Sequence, residues 1–117
     1  SHLRVAFLTL EFRKAIVMHD IQIEELLSIL GSIIRKSNSY YSLTDYGFKD
    51  STSYPTAEVI QKRMINKVSL ISLRKQLKKF KVEGLVYSQT FKLYSGSFDL
   101  EYYYPTELLL MLEGKPV

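Results

Sequence analysis

Apolar positions recur along the chain at intervals that change from one segment to the next, and those intervals predict its elements. From Leu3 to Val17 they occupy almost every side of a helical projection (Val5, Phe7, Leu8, Leu10, Phe12, Ile16, Val17), the pattern of a helix buried or packed on a partner. A strand over "VAFLTLEF" is the local alternative. Asp20 is placed to cap a second helix. Its stripe of Ile23, Leu26, Leu27, Leu30, Ile33 and Ile34 repeats at three and four residues and carries it to Lys36, with Gly31 weakening it but not ending it. From Ser37 to Pro55 the composition turns to Ser, Asn, Tyr, Asp and Gly without a sustained period, which predicts a long loop with room for one short strand.

Thr56 then caps a short helix through Val59, Ile60 and Met64 to about Asn66, with Glu58 near its positive end, and Asn66 and Lys67 form a turn. Ser69 caps the next helix, whose buried side is Leu70, Leu73, Leu77 and Phe80, and Gly84 ends it. The β-rich runs "LVYSQTFKLY" and "LEYYY", joined by "SGSFD", predict a hairpin that Pro105 stops. "TELLLMLEG" closes the chain as a helix capped by Thr106 and ended by Gly114. The expected class is α+β and mainly helical, one domain over 1–117. It divides into N-terminal helices (3–36), a long loop (37–55), a helix-turn-helix (56–84), a hairpin (85–104) and a C-terminal helix (105–114).

Composition narrows the function. With 117 residues, 46% of them hydrophobic, the chain can bury one core. Sixteen Lys and Arg against 12 Asp and Glu give a net charge of +4, a mild bias toward anionic partners. Eight of the 16 lie between Lys62 and Lys81 with no acidic residue among them, so the positive charge is focused on one region. The absence of cysteine excludes disulfides, thiolate nucleophiles and Cys-type zinc sites, and fits a cytoplasmic location. No apolar run reaches the roughly 18–20 residues of a membrane span, so no membrane partner is expected. The leading Ser1 and His2 read as a tag-cleavage scar, with the natural start expected upstream. His19 has no second natural imidazole, Glu24 and Glu25 face different ways, and there is neither a Gly-rich phosphate loop nor a nucleophile with a base. No enzyme activity, cofactor or metal is therefore expected.

From "PTAEVIQKRM" through "SLISLRKQLKKFKVEGLVYS" the chain resembles the winged helix-turn-helix DNA-binding superfamily, with MarR- and PadR-like regulators at a distance. The likeness covers Thr56 to Tyr104, and the helix from Asp20 supplies the first helix of such a fold. "LRKQLKKFKVEGLV" looks like the recognition helix leading into the first wing strand, whereas the "MINKVSL" link is longer than the family's tight turn and lacks its glycine. The resemblance implies a winged helix-turn-helix with a β-hairpin wing and extra N- and C-terminal helices. It also implies a transcriptional regulator that inserts the 69–83 helix into the major groove of double-stranded DNA. A plasmid or viral replication or partition protein, or an interaction module in a larger complex, are the alternatives.

A helix that buries Leu70, Leu73, Leu77 and Phe80 is expected to turn Ser72, Lys75, Gln76 and Lys79 outward. Lysines there neutralise phosphates, while Gln76 suits adenine and Ser72 several base edges. Ser69 starts this helix, and Arg74 and Lys78 flank it, where contacts to the DNA backbone are expected. Gln89 and Lys92 extend the surface onto the wing, and Thr56 with the amides behind it favours a phosphate. The same lysine-rich face is also what an ordinary solvated helix looks like. Most of the nine tyrosines read as half-buried strand and loop residues. The surplus apolar side of 3–17 and the run Leu108 to Leu112 predict a homodimer built from the two termini.

Overall fold

A computed structural model describes residues 18–36, 46–93 and 98–116 of the chain. The helix expected over Leu3 to Val17 lies outside the described residues. The described elements are α1 (Asp20–Gly31), β1 (Ile33–Arg35), β2 (Tyr46–Phe48), α2 (Ala57–Arg63), α3 (Leu70–Val82), β3 (Val86–Leu93), β4 (Phe98–Pro105) and α4 (Glu107–Leu112). The class is α+β, with two antiparallel strand pairs, β1 with β2 and β3 with β4.

Two expectations about the first helix need correction. Its N-cap is His19 rather than Asp20, and the His19 N–H donates to Gln22 Oε1 at 2.8 Å. The helix also stops at Gly31, five residues before Lys36. Ser32 closes it, donating its hydroxyl to the Ile29 carbonyl at 2.6 Å and its N–H to the Ser28 and Ile29 carbonyls at 3.1 Å. The β-branched pair Ile33 and Ile34 then continues as strand, with Ile33 opposite Phe48 and Arg35 opposite Tyr46. Ile33 is buried either way, so its place in a helical stripe was no evidence of helix. The 37–55 segment accordingly holds a short strand, β2, which β1 pairs.

The remaining boundaries follow from capping chemistry. Thr56, Ser69 and Thr106 each accept a hydrogen bond at the side-chain oxygen from the amide three residues on, which starts α2, α3 and α4. Helix α2 ends at Arg63 because Met64 turns extended and buries its side chain. Gly84, with φ of +79°, ends α3 in the left-handed conformation that glycine adopts without steric cost.

The buried side chains form one cluster that draws on every element. It includes Leu26 and Leu30 of α1, Ile33, Phe48, Ile60 of α2, Leu73, Leu77 and Phe80 of α3, Val86, Tyr103 and Leu109 of α4. In the β3–β4 hairpin, residues that face each other across the pair share a side of the sheet. Val86 and Tyr103 face this core. Gln89 and Tyr102, and Tyr87 and Tyr104, are opposite pairs on the other side, where Tyr46 of β2 stacks on Tyr104 at 4.3 Å between ring centres. The hairpin is thus packed on both sides near its base. It is also tied to the start of α2 by a bridge between Thr56 and Tyr102 and by the Tyr103 N–H, which donates to the Pro55 carbonyl at 2.9 Å. Among the described residues, no helix is long and apolar enough to cross a membrane.

Candidate nucleic-acid interface

Helices α2 and α3 are joined by the link Met64 to Ser69, which lacks glycine and is held from outside by side chains. The Glu25 carboxylate of α1 accepts from the Ile65 N–H at 2.7 Å, the Asn66 N–H at 2.9 Å and the Asn66 side-chain amide at 3.2 Å. Partial desolvation works to raise the Glu25 pKa, but these amides and the nearby Lys67 outweigh it and hold the carboxyl below the usual glutamate range. Gln22 donates to the Lys67 carbonyl at 2.7 Å and Gln61 to the Val68 carbonyl at 2.9 Å. Between them these bonds satisfy the Ile65 and Asn66 amides and the Lys67 and Val68 carbonyls of a turn longer than a tight one, and so help fix where α3 starts.

Helix α3 buries Leu73, Leu77 and Phe80. At 3.6 residues per turn the direction opposite that face falls on Ile71, Lys75, Lys78 and Val82, an arc of about 60°. All four are exposed, Ile71 at 61% and Val82 at 84%. Of the other expected outward residues, Lys79 is exposed, whereas Ser72 and Gln76 differ. Ser72 is buried, with 4% of its surface exposed, and its amide and hydroxyl both engage Ser69: the N–H donates to Ser69 Oγ at 3.1 Å and the hydroxyls lie 2.9 Å apart. The reason is local, since position 72 lies in the capping turn, so Ser72 completes the cap and does not face outward. Gln76, one turn on, is half-buried between Ser72 and the buried stripe. Ser69 is exposed but spends its side-chain oxygen on the cap.

Thr56 is likewise withdrawn from solvent. It is 7% exposed, and its Oγ1 accepts from the Val59 N–H at 3.3 Å, so its role is to start a seven-residue helix and not to meet a phosphate. On the hairpin, Gln89 is exposed but engaged across the strands, accepting from the Tyr102 hydroxyl and donating to the Tyr104 hydroxyl at 3.2 Å. The backbone of Lys92 pairs opposite Asp99, and its side chain lies outside the described residues.

The cations between Lys62 and Lys81 divide into two groups. Arg63 is committed to the fold, bonded to Asp50 at 2.6 Å with its guanidinium 3.7 Å from the Phe48 ring centre, and this contact holds the Asp50 carboxyl below its ordinary range. Arg74 pairs with Glu58 of α2, and Lys79 approaches Glu83 at 4.0 Å. Lys62, Lys67, Lys75, Lys78 and Lys81 are exposed and make no ion pair among the described residues. Beside α3 a cleft of about 470 Å³ opens toward β4, lined by Arg74, Lys78, Lys81, Glu58, Glu101 and Tyr103. Burial, and then the bond its hydroxyl donates to Glu101, push the Tyr103 pKa far above its ordinary value, so the phenol stays neutral.

Of the expected surface, the structure brings Lys75, Lys78, Lys79 and Arg74 together on one exposed side of α3 and removes Ser72 and Thr56 from it. Ile71 and Val82 were not anticipated there. Their signal was present in the spacing, because both lie half a turn from the Leu73, Leu77 and Phe80 stripe. No family model matches the chain, and no curated protein and no solved structure matches it. The site is therefore read from its own geometry alone.

Proposed function

We propose that the chain is a winged helix-turn-helix protein that binds double-stranded DNA and regulates transcription, with α3 in the major groove and the β3–β4 hairpin as its wing. One observation carries the reading: α3 buries one side in the core and offers on the other the cations Lys75 and Lys78, which form no ion pair among the described residues, flanked by Lys79 and Lys81. A rigid helix with such a face suits a major groove, and each lysine that meets a phosphate releases a counterion. The order of helix, helix pair and hairpin supports it, as does the tie between the hairpin and the start of α2. The protein acts as a homodimer, for which the exposed side of α4, with Leu108, Met111 and Leu112, offers an apolar surface.

The second reading, an interaction module in a larger assembly, is favoured by the exposure of Ile71 and Val82 on that same face. Fluorescence anisotropy with random-sequence duplexes at two salt concentrations separates the two. DNA binding predicts an affinity that falls steeply with salt, and a Lys75→Ala, Lys78→Ala protein that binds every duplex more weakly. Its log–log salt slope should be smaller by about 0.9 per lost phosphate contact. No binding to any duplex at low salt would leave the interaction module standing.

A further inference from the structure

The first six residues of α3 leave few side chains free to read a base. Leu70 packs against the core cluster, Ser72 and Leu73 are buried, and Arg74 is drawn sideways to Glu58. Ile71 and Lys75 remain, one turn apart and pointing away from the core. Ile71 is 61% exposed, and its neighbours along the outward line of α3 are Lys75 and Lys78. A singly exposed isoleucine is ordinary on a protein surface, but this one shares the outward line of α3 with Lys75 and Lys78. The interaction reading would use it in a protein-docking patch, but the centre of such a patch is apolar and depleted of charge, and Lys75 and Lys78 stand beside it here. In a major groove the combination has a use, because thymine carries the one apolar group of that groove, its 5-methyl, beside a polyanionic backbone.

We infer that Ile71 is a base-reading residue that recognises the 5-methyl group of thymine, so that the preferred duplex holds a thymine against the start of α3. The inference rests on the DNA-binding reading above and deepens it. It replaces Ser72 as the specificity group of the first turn and assigns Lys75 to a neighbouring phosphate or to guanine O6 and N7.

The test begins by selecting a preferred duplex from a random-sequence library. Deoxyuridine then replaces each thymine in turn, which removes the methyl group and leaves every hydrogen-bonding group in place. The natural protein should bind about fourfold more weakly when the contacted thymine is replaced, the equivalent of one methyl group left unburied. Ile71→Ala should bind the thymine and deoxyuridine duplexes equally. Val82→Ala, changed at the far end of the same face, should keep the discrimination, as should Lys75→Ala at a lower affinity for both. Ile71 and Val82 are exposed and outside the core cluster, so folding is not at stake in either variant. Natural protein indifferent to every replacement, or Ile71→Ala that still discriminates, overturns this inference alone and turns Ile71 toward a protein partner. Failure to bind any duplex overturns the DNA-binding reading and this inference with it.

Discussion

Glu25 reaches from α1 to gather three amide groups of the link before α3, and its depressed pKa makes that clasp sensitive to acid. A carboxyl that titrates lower when folded binds fewer protons than it does unfolded. Its stabilisation is therefore complete above the ordinary value of 4.5 and is lost as pH falls from there through the folded value. Urea midpoints for the natural protein should accordingly fall between pH 6 and pH 3, and Glu25→Gln should flatten part of that fall; Asp50, held down by Arg63, accounts for another part. At neutral pH, Glu25→Ala should cost about 1–2 kcal/mol, read as a lower urea midpoint with an unchanged slope. Gly84 gives a second test at this scale. A Cβ there meets nothing within 4 Å, so Gly84→Ala isolates the cost of φ +79°, about 1 kcal/mol, and Gly84→Asn should recover part of it. Neither Glu25 nor the burial of Ser72 was legible in the sequence. A bond between residues 25 and 65 leaves no local pattern, and serine at a helix edge reads the same whether it caps or faces water.

Elements were legible where the cue is local. Thr56, Ser69 and Thr106 stand where capping predicts them, Gly84 and Gly114 take the positive φ expected past a helix end, and the β3–β4 hairpin stops at Pro105. The end of α1 was not legible, because a three- and four-residue stripe and a short strand both bury Ile33, and only pairing with β2 decides between them. Thr106 does two jobs for α4. Its Oγ1 accepts from the Leu109 N–H at 3.3 Å and donates to the Gly84 carbonyl at 2.8 Å, which joins the last helix to the turn that ends α3. Because the residue is buried, Thr106→Val removes both bonds without much loss of volume, and should lower stability by about 1–3 kcal/mol in a thermal or urea melt.

Across the molecule, the proposed dimer makes the apolar side of α4 the place to look. Light scattering in moderate salt should give twice the chain mass, and Leu108→Glu with Met111→Glu should return it to one, since both side chains are exposed in the single chain. A clean monomer of the natural sequence at tens of micromolar would remove the dimer, and with it a half-site spacing of about 34 Å.

The Glu25 clasp bears also on how the chain can be divided. In a tight-turn helix pair the angle between helices is written into the turn itself, and the pair can be lifted out as a unit. Here the contacts inside the pair, Gln61 on the Val68 carbonyl and Arg74 on Glu58, are completed by a carboxylate 40 residues upstream of the link it holds, with Gln22 helping at the Lys67 carbonyl. The helix pair is therefore not a portable module. Fused to another protein without α1, residues 56–104 would keep their capping sequences and lose the alignment of α3. Any transplant of this face has to carry the chain from His19 onward.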